Sequence, residues 1–198
     1  MIQYIVIIGA AAQLAGTFFY IKEMFAGRAK PNRITWFLWS VAPLIASAAA
    51  FSEGVRWAVL PVLMSGFGPL LILIASFFGK KSYWRLEPFD YFCGGCSILA
   101  IFLWRITGEP NLAIGLAIVG DAFAAAPTII KSWRQPETES SIAYLTGLIS
   151  AFSSFFAVTA INFSELAFPI YLIALDGLII FSLYRQKFFN YQTEEVND

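Results

Sequence analysis

Seven apolar runs, each near the length of a bilayer-crossing helix, divide this chain almost from end to end. They cover residues 3–25, 34–51, 57–78, 89–106, 112–133, 142–161 and 166–184. Spanning the hydrocarbon core takes roughly 20 apolar residues in a helix. Lipid offers an open backbone no hydrogen-bond partners, so each run is expected to be helical. The breaks are short and polar, at 27–33, 52–56, 79–88, 107–111, 134–141 and 162–165. Only 13% of the residues are charged, roughly half the share in a soluble domain. The longest polar stretch is the tail after Arg185, which leaves no room for a soluble catalytic domain. The first run has no basic flank and no small-residue cleavage site before it ends, so it is expected to stay as a span.

Charge placement orients these spans. The odd-numbered loops and the tail hold Lys22, Arg28, Lys30, Arg33, Lys80, Lys81, Arg85, Lys131, Arg134, Arg185 and Lys187, whereas the opposite side has only Arg56 and Arg105. By the positive-inside rule the N-terminus faces out and the C-terminus is cytoplasmic, as a multi-pass protein of a cell inner membrane. Trp57, Trp84, Trp104 and Trp133 lie at expected span ends, where an aromatic belt anchors the interface, and Trp36 reads the same way. A formal net charge of zero without a basic patch argues against nucleic acid. The chain has no histidine, which removes the commonest metal ligand. Cys93-Gly-Gly-Cys96 lacks companions to complete a metal site and reads as close helix packing. No cofactor cradle, metal cluster or nucleophile–base pair is present, so an enzyme is the least supported class. The partners implied are a small-molecule solute and the lipid bilayer; homo-oligomerisation is left open.

The chain also repeats itself. Laying the first three runs on the last three puts Lys22 on Lys131; after a one-residue gap Ile34 falls on Ile142, Trp36 on Tyr144 and Pro61 on Pro169. The expected fold is all-α and membrane-embedded: seven transmembrane helices forming two parallel triple-helix bundles, 1–80 and 110–198, the second ending in a short cytoplasmic tail. A linker containing helix 4 (81–109) joins them. Parallel repeats of this kind occur in transporters, with the site between the halves at mid-membrane.

The stretch Pro127-Thr-Ile-Ile-Lys131-Ser-Trp-Arg134, followed by Glu137-Thr-Glu-Ser-Ser141, resembles the signature of the SWEET and PQ-loop superfamily. Thr128 stands at that signature's glutamine position and Phe18 at the proline position of the first repeat. The resemblance covers nearly the whole chain. It implies alternating-access transport of a small solute such as a sugar, with Pro127, Pro43 and Thr128 at hinges or gates. The same superfamily includes receptors that bind peptide tails, so a receptor or sorting protein is the alternative. Trp36-Phe-Leu-Trp39 is also similar to a motif of nicotinamide riboside-type vitamin transporters, which share the layout.

Few polar groups lie inside the runs. Asp121 and Asp176 fall near the middle of the fifth and seventh, and neither has a basic residue at its depth. A charged carboxylate there costs at least about 2.5 kcal/mol, so both are expected to face the bundle interior and bind a cationic or hydroxyl-rich solute or carry a proton. Gln13, at the depth of Asp121, and Trp39, deeper than a belt needs, are candidate solute contacts. Ser65 opens Ser65-Gly-Phe-Gly-Pro69, which reads as a kinked patch at the level of Asp176 and adds a further candidate. Glu137 and Glu139 read as part of a solvated loop, with salt-bridge gating toward Lys30 or Arg33 as an added expectation.

Overall fold

The computed structural model describes residues 2–52, 59–79, 84–107, 110–157, 161 and 163–195. Among these the chain is all-α, with seven α-helices in the expected order. They are α1 (Ile2–Phe25), α2 (Arg33–Ser52), α3 (Val59–Ser76), α4 (Pro88–Thr107), α5 (Pro110–Arg134), α6 (Ile142–Ser154) and α7 (Phe163–Glu195), with short 3₁₀ turns at Pro136–Thr138 and Phe155–Ala157. Arg56, Trp57, Lys80 and Lys81 lie outside the described residues, as do the side chains of Trp104, Arg105 and Lys187.

Two helices depart from the expected bounds. α6 stops at Ser154. Ser153 and Ser154 both turn their hydroxyls back onto the Ser150 carbonyl, at 2.7 and 3.4 Å, a local bond that competes with helix continuation. α7 runs on to Glu195, well past the expected end of the last apolar run at 184. No glycine or proline follows Gly177 to stop it.

Capping sets the turns at the end where Lys30, Lys131 and Arg134 cluster, called the basic end below. α1 closes in a Schellman motif around Gly27, whose φ of 80° lies in the left-handed region. Gly27 N–H donates to Met24 and Arg28 N–H to Glu23, at 2.9 and 3.0 Å. Asn32 caps α2: its Oδ1 accepts from the N–H of Ile34 at 3.1 Å and of Thr35 at 3.3 Å. The Asn32 amide donates to buried Asp90 at 2.9 Å, tying α2 to the start of α4.

The third helix of each triple packs against the other two. α3 lies on both α1 and α2, and α7 on both α5 and α6; the first and second helices of each triple make no comparable contact among the described residues. The halves meet along α1–α6, an extensive seam, and along α2–α5, a thinner one, while α4 packs on α5 and touches α2. The repeat register that puts Ile34 on Ile142 also puts Arg33 on Ser141 and Ser76 on Tyr184. Each of those pairs is bonded. Arg33 donates to the hydroxyl and carbonyl of Ser76, at 3.1 and 2.7 Å, and Ser141 and Tyr184 share a hydrogen bond of 2.8 Å. Different residues thus make the same second-to-third-helix tie in both triples.

Small residues let these helices approach. A Cβ on Gly9 would lie 3.4 Å from the Ser150 Cα, and one on Gly16 only 2.7 Å from the Thr146 Cβ, so α1 and α6 meet nearly backbone to backbone. The Ser65–Pro69 patch lets α3 approach both α1 and α2. A Cβ on Gly66 would sit 3.0 Å from the Leu44 amide of α2, and one on Gly68 2.7 Å from the Thr17 hydroxyl of α1.

Large apolar side chains lie on the outside as well as in the core, and several polar groups are buried. Ile8, Phe18, Phe92, Phe102 and Phe152 are exposed on the outside, while Thr17, Thr35, Ser40, Thr128, Lys131 and Ser182 are buried. By length and apolarity, the stretches Ile5–Phe25 and Leu166–Arg185 are each sufficient to cross a bilayer; the apolar helices Leu60–Ser76 and Ile142–Ser154 are shorter.

Candidate functional site

Asp121 of α5 and Asp176 of α7 come together. Tyr171, one turn and a half before Asp176 on α7, donates its hydroxyl to Asp121 Oδ2 at 2.7 Å. The two carboxyls lie within electrostatic range of each other and of Tyr171. Both are largely buried in the bundle, and each residue keeps some accessible surface. Asp176 lies against α6 at Gly147, where a Cβ would stand 2.5 Å from its Oδ2. Any side chain at 147 would push that carboxyl aside. Among the described residues neither aspartate has a cationic partner.

Trp39 closes the site from α2. It is 9% exposed, packs edge-on against Trp36 with centroids 5.3 Å apart, and lies within interaction range of the Asp121 carboxyl. Its indole N–H completes no hydrogen bond. Gln13, on α1, likewise holds its side-chain oxygen buried and unpartnered, while its backbone carbonyl accepts from Thr17 at 3.0 Å. Ser65 is not brought to the carboxyls by any bond: its hydroxyl donates to Val62 in its own helix at 2.8 Å.

Toward the basic end the rings continue. Tyr20 of α1, Trp36 of α2 and Tyr144 of α6 pack together, with Tyr20–Trp36 centroids 5.0 Å apart and Trp36–Tyr144 centroids 6.4 Å apart. Trp36 is 3% exposed, which corrects its reading as an interfacial anchor: the α1–α6 seam carries Tyr20 and Tyr144 over it. Trp36 and Tyr144 are repeat mates, so their contact lies where the two halves face one another. Trp133 is exposed and carries Arg185 over its ring at 4.5 Å, in keeping with a belt position.

Beyond the rings sits an ion pair absent from the sequence reading. Lys131 pairs with Glu139, and both side chains are 0% exposed. Lys131 also donates to the Lys30 carbonyl, and Lys30 N–H donates to the Thr138 carbonyl at 2.8 Å. The solvated-loop reading of Glu139 is corrected: the α1–α2 loop lies over it. Gating contacts toward Lys30 and Arg33 take another form, since Lys30 contributes backbone and Arg33 turns to Ser76. Tyr20 and Tyr144 both lie within electrostatic range of Glu139, yet the hydroxyls of both and the Trp36 indole N–H lack well-formed hydrogen bonds.

Pro127 is buried inside α5, which runs through it unbroken, and Pro43 is buried inside α2. Thr128 is fully buried and donates to Thr35 of α2 at 3.2 Å, while Thr35 donates to the Ala124 carbonyl at 2.7 Å. Thr128 and Pro127 therefore sit on the thin α2–α5 seam. Tyr171, Tyr144, Tyr20, Lys131 and Glu139 were missed as site residues. Three tyrosines within apolar runs were the available signal, but those near run ends also fit interfacial anchoring. Cys93 and Cys96 are free thiols, and the described residues contain no cluster able to hold a metal ion. Comparison of the chain with protein-family models, with curated proteins and with solved structures returns no match.

Proposed function

We propose that this chain is an integral membrane transporter moving a small polar solute through a central cavity by alternating access. In this reading the seven helices are membrane spans, grouped as two parallel triple-helix bundles joined by α4. The basic end faces the cytoplasm of a cell whose inner membrane holds the protein. The observation that carries the reading is the pair of largely buried carboxyls Asp121 and Asp176, tied through Tyr171 and with Trp39 of α2 beside Asp121, in a protein whose outside is apolar. The shared helix order and the matching Arg33–Ser76 and Ser141–Tyr184 ties support the two-bundle division. Large exposed rings on α1, α4 and α6 support burial in lipid, because soluble monomers rarely present contiguous apolar surface of this extent. They also supply an apolar exterior to helices that are individually short.

The chemistry of the cavity narrows the solute. Two carboxyls without a basic partner disfavour an anion, whose charge nothing would compensate. They suit a solute that offers hydroxyl or N–H donors or a positive charge. Trp39 adds a flat face beside the Asp121 carboxyl, fitting a sugar- or vitamin-like molecule with a ring. No nucleotide site accompanies the cavity among the described residues, so movement is downhill or ion-linked.

A thermal-shift screen of the purified protein against sugars, nucleosides, vitamins and amino acids tests this, followed by flux of the stabilising compound into proteoliposomes. Ligand binding raises stability by mass action. The expected result is stabilisation and flux that both fall in Asp121→Asn and Asp176→Asn. Undiminished flux in both variants refutes the role of the carboxyls. Binding without flux moves the assignment to a receptor.

A further inference from the structure

Asp121 and Asp176 differ in what surrounds them. Tyr171 donates its hydroxyl to Asp121 Oδ2 at 2.7 Å. A second donor group, the Trp39 indole of α2, is 9% exposed and lies within interaction range of the same carboxyl, its N–H completing no hydrogen bond. Asp176 receives no hydrogen bond among the described residues, and its Oδ2 lies against Gly147 of α6. The titratable groups that face the pair are Tyr171 on α7 and Tyr144 on α6, both hydroxyls. Lys131, farther along α5, is engaged by Glu139. Among the described residues no cation acts on either carboxyl.

Two negative charges do not share such a setting. Each would lack a counterion and most of its hydration, and each would repel the other. One of the two therefore takes up a proton, as facing carboxyls do elsewhere. Hydrogen bonds donated to a carboxylate favour its charged form. Asp121 has such a donor in Tyr171, with the Trp39 N–H beside it, and Asp176 has none. We propose that the pair holds one exchangeable proton, carried by Asp176 while Asp121 stays ionised. The inference rests on the transport reading above and deepens it: the proton becomes the ion to which solute movement is linked. When the site meets water, the Asp176 O–H bond breaks, the proton passes to water and the carboxyl keeps the electron pair. A donor group or positive charge on the solute then takes the proton's place against the carboxylate.

Infrared difference spectroscopy on the full chain in proteoliposomes tests this, with the proton itself as the probe. At neutral pH the difference between wild type and Asp176→Asn is expected to contain the carbonyl band of one protonated carboxylic acid. The difference between wild type and Asp121→Asn is expected to contain a carboxylate band only. Transfer to deuterated water should move the acid band to lower frequency as the proton exchanges. Tyr171→Phe leaves both carboxyls in place and is expected to enlarge the acid band toward twice its size, because Asp121 loses a donor that favours its charge. That arm stands even where an asparagine variant fails to fold. A carboxylate band at Asp176, an acid band that belongs to Asp121, an acid band unmoved by deuteration, or one unchanged in Tyr171→Phe overturns the proposal. Flux of a compound found in the thermal-shift screen, measured on protein that shows no acid band, overturns the proton site and leaves the transport reading standing. The expected bands together with no stabilising compound in that screen keep the proton site and overturn its link to transport.

Discussion

Lys131→Met separates a buried charge pair from an ordinary surface one. Both side chains of the native pair are 0% exposed. Methionine retains most of the lysine stem, so little packing is lost, and the cost is that of stranding Glu139. The stranded carboxylate keeps the Ser140 N–H, at 3.3 Å, and the neighbouring hydroxyls of Tyr20 and Tyr144. Removing one member of a buried pair destabilises by about 3–5 kcal/mol. Against a typical total of about 5–15 kcal/mol, that is a large fraction. Adding Glu139→Gln removes the stranded charge, so the double variant is expected to recover about 2 kcal/mol or more of the loss. SDS-driven unfolding in mixed micelles, followed by tryptophan fluorescence, gives all corners of the cycle. A loss below about 1 kcal/mol for Lys131→Met, the level of an exposed pair, would show that the pair is hydrated and refute its burial between the two loops.

Other substitutions probe the packing and the site by the same unfolding assay. Gly16→Val drives a branched side chain into Thr146 and is expected to cost about 1–3 kcal/mol or more, whereas Gly95→Ala, with nothing near its Cβ, should be neutral or stabilise by up to about 1 kcal/mol; equal effects at the two sites would contradict the α1–α6 seam. Asn32→Ala removes the α2 cap and one of the two hydrogen bonds to buried Asp90, the other coming from the Glu87 N–H, for an expected loss of about 2 kcal/mol; a loss of a few tenths would mean that the Asn32–Asp90 bond is not made. Tyr171→Phe deletes the donor to Asp121 and is expected to change stability by about 1–3 kcal/mol, an effect that should vanish in an Asp121→Asn background if the two groups act only on each other. Gly147→Ala displaces Asp176, so affinity for the solute found by screening should fall about tenfold or more while the melting temperature stays near that of the parent; unchanged affinity would place Asp176 outside the binding site.

The order and helical nature of the seven elements were readable from the chain, because apolar run length and short polar breaks dictate them wherever backbone groups must satisfy one another internally. Asp121 and Asp176 stood out in the chain as carboxyls without a basic neighbour, and both lie largely within the helix bundle. The repeat was readable too, and its register located ties made by unlike residues at Arg33–Ser76 and Ser141–Tyr184. Pairing was not. A helix apolar on nearly all faces has no stripe to announce its neighbours, so the chain could not say that α3 and α7 wedge between their companions. That order alone brings Tyr171 to Asp121 and folds Tyr20 and Tyr144 over Trp36. It also lays the α1–α2 loop on Glu139, turning a lysine and a glutamate that look like loop charges into a buried pair. Local pattern decided what each segment became; the close approach of helices at Gly9, Gly16 and Gly66 decided which segments met, because a side chain there would hold the neighbours apart.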